Sequence, residues 1–337
     1  MKILDHSEKI TLSTFKNSKK APRGTSKKLV LYALKNNIDV YRVFNKKSLY
    51  IFKKGSKIIW INKTMNSKTN PIGIAIARNK HMAKDFLAKL GYPVAPSKTI
   101  SKFEELDSAM RTLSFPVVVK PLGAAEGKGI TVNVNTKKLL ADSFNVAKKF
   151  DDKVLIEKHI FGEYYRITYI ADGSYAATKN LPAYISGNGK KTAKELIDWE
   201  NKYNKERRKG GRLKKIKISE KTERFLASEG YKLNSVLPEG KKIPLCFSGF
   251  DGGEYIDVTE NIHPYFIKMS KEISDSLKLP IIGIDIISVD ITKPLKENRG
   301  VIIEINGSFP DIQFHSNPTQ GKARELYSNL INYLFKI

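Results

Sequence analysis

The sequence predicts a mixed α/β (α+β) fold, and three observations carry that prediction. Amphipathic helical stretches alternate with short extended runs, two nearly all-apolar runs at 281–287 and 301–305 read as buried strands, and a glycine-rich loop follows an apolar strand at 117–120. A chain of 337 residues that is 41% apolar and 10% aromatic can bury a large core, which excludes global disorder and fits two or three subdomains. The mixture of elements also excludes a helical bundle or a β-sandwich.

Taken in order, SKKLVLYALKN at 26–36 suits a short helix, and extended runs follow at 39–43, 48–53 and 57–61, separated by Asn/Lys and Lys-Gly turns. This small basic α/β unit is expected to end near Pro71. Residues 79–90 place Met82, Phe86, Leu87 and Leu90 on one helical face, and Gly91 stops the helix. A strand at 94–97, a helix at 102–113, the strand at 117–120, the glycine-rich loop, a strand at 130–134 and a helix from Thr136 make a second block. The third block is expected to open on a strand at 154–158, followed by a hairpin (164–170 and 174–180) turning at Asp172-Gly173. Residues 201–217, which include NKERRKGGRLKK, read as a mobile basic loop; helices at 220–229, 264–277 and 324–335 accompany the two apolar strands. The expected domains are therefore 1–76, 77–154 and 155–337.

The formal net charge is +26, and it is uneven: residues 1–100 hold 22 Lys/Arg against 4 Asp/Glu. A basic N-terminal third would concentrate anions, either nucleic acid or an acidic peptide or metabolite. A Lys-, Ile- and Asn-rich coding bias explains the same excess. Only 11 of the 60 basic residues are arginine, the type that reads phosphates and bases bidentately, and no aromatic-interleaved RNA motif is present. Nucleic acid therefore ranks below an acidic substrate. The single cysteine, Cys246, excludes an intrachain disulfide framework and a Cys-based zinc finger, and it suits a reducing, cytoplasmic setting. The opening MKILDHSEKI lacks a secretory apolar run, and no stretch approaches the roughly 18 apolar residues of a membrane span, so neither secretion nor membrane insertion is expected.

Three segments carry chemistry. In FPVVVKPLGAAEGKGI a strand ends in Lys120 and runs into glycines that free backbone N–H groups to face an anion; an ordinary strand with a Gly-rich hairpin reads equally well. Asp285 and Glu304 lie inside otherwise apolar strands, where an unpaired carboxylate costs several kcal/mol and requires a cation or a proton. Strand periodicity puts Asn306 on the face of Glu304, so two carboxylates and an amide oxygen make a hard-oxygen set suited to Mg²⁺; two separate Lys or Arg pairings are the alternative. The third segment, VLIEKHIFGEYYR, is a strand edge and turn that could present backbone groups and acids to an adenine and a ribose, or simply an exposed charged edge.

Together, phosphate loop, strand edge and paired acids, following one another in that order along about 190 residues, resemble the ATP-grasp fold. The likeness is to the ATP-grasp region of cyanophycin synthetase and of the bifunctional glutamate–cysteine ligase/glutathione synthetase. It extends through ARNKHMAKDFLAKLGYPVA, ISGNGKKTAKELI, IDVTENIHP, GIDIIS and VIIEIN, from about Thr25 onward. The resemblance implies two α+β lobes clamping ATP behind a small N-terminal domain. It implies Lys80 and Lys120 on the ATP phosphates, with Gly127, Lys128 and Gly129 closing over them. Glu157, Lys158 and Ile160 would flank the adenine, and Glu163 would bond the ribose. Asp285, Glu304 and Asn306 would bind two Mg²⁺, with Mn²⁺ as an alternative. The implied reaction is phosphorylation of a carboxylate and attack by an amine, on an amino acid or peptide substrate, an acidic one among them. A homodimer or larger homo-oligomer is implied by analogy alone.

The chain also departs from the pattern. Residues 244–253 lack the arginine and asparagines that the relatives carry before Gly-Gly, and Gln313 stands where they have an arginine. Arg166 is then the leading arginine for the transferring phosphate, with a structural ion pair as its alternative. A ligase with a rewritten acceptor side is the first reading, and a nucleotide-binding scaffold that does not ligate is the second.

Overall fold

Capped helices and apolar strands organise the chain into three larger sheets and a two-stranded ribbon. The structure, a computed structural model, describes residues 2–17, 24–44, 48–123, 128–208, 211–245 and 252–336. The N-terminal part holds β1 (Glu8–Ile10), α1 (Leu12–Asn17), α2 (Gly24–Lys35), β2 (Asp39–Arg42), β3 (Leu49–Lys54), β4 (Lys57–Asn62) and β5 (Met65–Asn66), its strands forming one antiparallel sheet in sequence order. Val40, Tyr50, Phe52, Ile59 and Ile61 of that sheet are buried in one core with Leu29, Val30 and Ala33 of α2.

Next come α3 (Pro71–Arg78) and α4 (Lys80–Lys89). Pro71, read from sequence as a boundary, is instead the first residue of a helix, where its missing N–H costs nothing; Asn70 caps that helix and Asn79 caps the following one. The next sheet comprises β6 (Ser97–Ile100), β7 (Val117–Pro121), β8 (Thr131–Val134) and β9 (Val154–Lys158), in the order β6-β9-β7-β8. It is accompanied by α5 (Leu106–Thr112) and by α6 (Lys137–Lys148), which Thr136 caps. Two expectations change here. The strand at 154–158 does not open a third block but pairs with β6 and β7, and the strand expected at 94–97 begins at Ser97 because Val94 bridges instead to Ile302.

The remainder is β10 (Glu163–Ile170), β11 (Tyr175–Leu181), β12 (Tyr184–Ser186), α7 (Ala193–Tyr203), α8 (Glu220–Ser228), β13 (Lys242–Pro244), β14 (Glu254–Asp257), α9 (Pro264–Leu277), β15 (Ile281–Ser288), β16 (Val301–Asn306), α10 (Gln313–Ser316) and α11 (Leu326–Phe335). The third sheet is antiparallel in the order β14-β11-β10-β15-β16, and β12 pairs with β13 beside α7 and α8. One face of the third sheet buries Ile167, Ile284, Ile286 and Ile305 against Phe266, Met269 and Ile273 of α9. Each such side chain contributes about 1.5–3 kcal/mol by leaving water. Leu330, Ile331 and Leu334 of α11 join the N-terminal core, so the two ends of the chain pack together.

Of the basic segment 201–217, residues 209–210 lie outside the described residues, and the rest is tied down by hydrogen bonds rather than left as a free loop. Arg207 is buried and donates to Glu200 Oε1 (3.0 Å), to Lys214 O (2.7 Å) and to Gly252 O, while Asn201 and Ile216 exchange two hydrogen bonds of 2.9 and 2.8 Å. A buried guanidinium with several acceptors holds a loop that charge counting alone reads as solvated. Among the described residues no helix is long and apolar enough to cross a membrane.

Candidate active site

Register assembles the polar centre. Arg166 on β10 lies opposite Asp285 on β15, and Asp285 lies opposite Glu304 on β16, so three charged residues form one row across the sheet. Period-2 alternation sends their neighbours Ile167, Ile284 and Ile305 into the apolar core behind them. The Arg166 guanidinium grips both oxygens of Asp285 through Nε and Nη2, the latter at 2.8 Å to Oδ2, and Asn306 Nδ2 donates to the same Oδ2 at 2.9 Å. Burial opposes the charge on Arg166, but the Asp285 carboxylate overrides it and raises the guanidinium pKa further. Glu304 differs from its neighbours. Burial, and then repulsion from Asp285, raise its pKa, only partly offset by Lys80, Lys120 and Arg166. Among the described residues Glu304 forms no ion pair within 4.0 Å.

The second cluster lies in the preceding sheet. Glu157 on β9 is 3% exposed, and its two oxygens accept from two lysines: Oε1 from Lys120 on β7 and Oε2 from Lys84 on α4 at 2.6 Å. Burial works against this carboxylate, yet the charges of Lys120 and Lys84 outweigh it and hold its pKa below the ordinary value. Burial lowers the pKa of Lys84, whose ammonium also donates to Ala95 O at 2.9 Å. Lys80, one helical turn earlier, donates to Leu122 O at 3.0 Å; burial lowers its pKa first, while Glu304 raises it and Lys120 lowers it. The electrostatic neighbourhood of Lys80 thus reaches both clusters, and the site holds Lys80, Lys84, Lys120 and Arg166 against Glu157, Asp285 and Glu304.

Lys128 and Gly129 lie on the turn before β8, Lys158 and Ile160 at the end of β9 and just beyond it, and Glu163 at the start of β10. Lys128 is exposed, Gly129 is buried at φ +69°, and a Cβ there would lie 2.6 Å from the Phe150 ring, so this turn requires glycine. Gly127 lies outside the described residues, as do 246–251 of the altered 244–253 stretch. The Lys158 side chain turns back to Ser114 O (3.0 Å), Ser114 Oγ (3.0 Å) and Phe115 O (2.9 Å), so only its backbone remains to face a base; Ile160 follows, half-buried. Glu163 pairs with Lys179 at 3.1 Å at the start of β10. The departure at Gln313 begins α10, which lies against β11 and β14.

A family model, the ATP-grasp (A) domain of phosphoribosylglycinamide synthetase, matches residues 78–183, the stretch that spans Lys80, Lys120 and Glu157. A crystal structure of a bifunctional glutathione synthetase from Pasteurella multocida superposes with a TM-score of 0.64 at 25% identity, covering 97% of this chain and 45% of that one. The chain carries the ATP-grasp fold. ATP-grasp relatives are also similar in sequence. Cyanophycin synthetase of Crocosphaera subtropica is 32% identical over 283 residues, 82% of this chain and 32% of the relative. The glutathione biosynthesis bifunctional protein GshAB of Clostridium perfringens is 29% identical over 315 residues, 91% of this chain and 40% of the relative. The chain therefore spans about a third of the length of the first of these relatives.

Two residues of this polar centre escaped sequence reasoning. Lys84 carries the same partner as Lys120, and its signal was available: it stands four residues after Lys80 on a helix, hence on the same face. His315 left no such signal. It is 1% exposed, its Nε2 lies 2.8 Å from Thr168 Oγ1, and burial, with Arg166 close by, pushes its pKa down to about 3, so the ring is neutral. Phe314 beside it stacks on Tyr255 and lies 5.8 Å from the Arg166 guanidinium.

Proposed function

We propose that the chain is an ATP-dependent carboxylate–amine ligase, forming an amide or peptide bond on an amino acid or peptide and releasing ADP and phosphate. The observation that carries this reading is the cross-strand carboxylate pair Asp285 and Glu304: like charges side by side, one of them without an ion-pair partner among the described residues, facing Lys80 and Lys120. Such a pair fits a divalent cation, which would relieve the repulsion that raises the pKa of Glu304. Glu304, Asp285 and the Oδ1 of Asn306 would hold it, as Mg²⁺ or Mn²⁺ and as two ions in the full reading. When bound, the metal neutralises charge on the triphosphate.

In this reading Lys80 and Lys120 bind the phosphates, and Glu157 keeps Lys120 in place. Lys128 and Gly129 cover the phosphates, while the backbone around Lys158 and Ile160 meets the base and Glu163 meets the ribose. Arg166 steadies the transferring phosphoryl group as a substrate carboxylate accepts it and before an amine displaces phosphate. The single cysteine in 337 residues supports a cytoplasmic setting for this chemistry.

One observation favours a second reading. Both oxygens of Asp285 are already engaged by Arg166, as a nucleotide-binding scaffold that does not ligate would permit. A screen for ADP release across acid and amine pairs, with mass spectrometry of the products and hydroxylamine as a trap, separates the two. Ligation predicts ADP release that requires an acid, and a hydroxamate when hydroxylamine replaces the amine. ATP binding without ADP or hydroxamate across the screen would overturn it.

A further inference from the structure

The connection between α6 and β9 carries an acid that the site described above leaves out. Asp151 directs its two oxygens to different partners. Oδ1 accepts from Lys153 N at 2.9 Å within its own turn, and Oδ2 accepts from Gly123 N at 2.7 Å at the exit of β7. Strand pairing of β7 with β9 ends at Pro121 and Val154, and beyond it Leu122 N donates to Lys153 O at 2.9 Å. The Asp151 carboxylate takes over where that ladder stops. The other side of the same peptide unit is held by Lys80, whose ammonium donates to Leu122 O at 3.0 Å. The peptide joining Leu122 to Gly123 thus has its carbonyl against a cation and its N–H against an anion.

Hydrogen bonds in series polarise one another, and those to ionised groups are the stronger ones. Burial is the main influence on Lys80 and lowers its pKa, while Asp151 is one of three carboxylates, after Glu304 and Glu157, that raise it. A role confined to the turn would need only the bond from Lys153 N; the bond from Gly123 N reaches out of that turn. The same connection meets the far side of the glycine-rich loop, where Gly129 presses on the Phe150 ring. We propose that Asp151 is a positioning residue: through the Leu122-Gly123 peptide it fixes the direction of the Lys80 ammonium, and with it the hold on a nucleotide phosphate. The phosphate half rests on the nucleotide reading above; the relay from Asp151 to Lys80 does not. The sign of the effect separates the relay from plain electrostatics. Removing an acid beside a site for a polyanion tightens binding by charge alone, whereas losing the group that aims Lys80 weakens it.

The test is a double-mutant cycle on the full chain, read as the Kd of Mg·ATP by calorimetry. Asp151→Ala should raise Kd roughly fivefold to tenfold when Lys80 is present and less than about twofold when Lys80 is already alanine. Asp151→Asn keeps an oxygen for one of the two N–H groups but loses the charge, and should fall between. Asp152→Ala removes the same charge one residue away, from a fully exposed side chain, and should not weaken binding. The same factor in both backgrounds, unchanged or tighter binding in Asp151→Ala, or an equal loss in Asp152→Ala would each overturn the positioning role. Hydrogen exchange without nucleotide is the second arm: Asp151→Ala should speed exchange over 117–123 and leave 281–288 unchanged. No change over 117–123, or equal acceleration of both segments, would overturn the relay whatever the nucleotide does. Failure of wild type to bind Mg·ATP would count against the nucleotide reading and the phosphate half of the proposal, and the exchange arm decides the relay by itself.

Discussion

Glu157→Gln is expected to destabilise the fold by about 3–5 kcal/mol at neutral pH, the range for removing one partner of a buried ion pair. The carboxylate is shared by Lys84 and Lys120, 6% and 5% exposed, and the neutral amide leaves two ammonium groups in a site that cannot solvate them. Burial already lowers the pKa of Lys84, so the variant relaxes by shedding its proton, and Lys120 loses the group that positions it. The pH dependence follows from the sign of the shift on Glu157. A carboxylate whose folded pKa lies below its ordinary 4.5 contributes stability that is complete above that value and disappears as pH falls toward the folded pKa. Urea titrations from neutral pH down through the carboxylate range should show wild type losing stability over that interval and the variant losing less. Equal stability at neutral pH would show that the Lys–Glu–Lys cluster is solvated and that Lys120 is positioned by something else.

The two acids of the last strands should respond with opposite signs of stability and the same sign of activity. Asp285→Asn leaves the Arg166 guanidinium buried without its counter-charge, so stability falls by several kcal/mol. Glu304→Gln removes a carboxylate whose ionisation burial and Asp285 both oppose, so without nucleotide and metal the variant should gain roughly 1 kcal/mol. Nucleotide turnover should drop by about 10²–10³ in both, because charge placed ahead of the reaction is lost in each case. Thermal melts of the metal-free proteins, beside ADP release, measure both. A stability loss in Glu304→Gln would mean that its carboxylate has a structural partner.

Much of this was legible because it is local. The helix at 264–277 is bounded as expected because Pro264 opens it and Lys278 closes it in a left-handed cap at φ +51°. The apolar strands around Asp285 and Glu304 could scarcely be anything else, and the motif order named the fold. What escaped depends on partners distant in the chain. The run at 154–158 reads as a strand edge but not beside which strand, and only pairing with β6 and β7 buries Glu157 and places it over Lys84 and Lys120. Thr192 and Glu195 form a capping box that announces α7, yet the lysines around it obscured the apolar stripe of Leu196 and Ile197. The burial of Arg207 depends on Glu200, Lys214 and Gly252 meeting around it, which no spacing rule expresses.

The seat for a metal-bound triphosphate is tested most directly by calorimetric titration of ATP into wild type and Glu304→Gln, each with Mg²⁺ and with chelator. Tight binding to wild type only with Mg²⁺, weakened roughly tenfold or more in the variant and insensitive there to chelator, is the predicted result. Equal affinity in all four titrations would contradict it, since the paired acids would then have no part in holding the nucleotide.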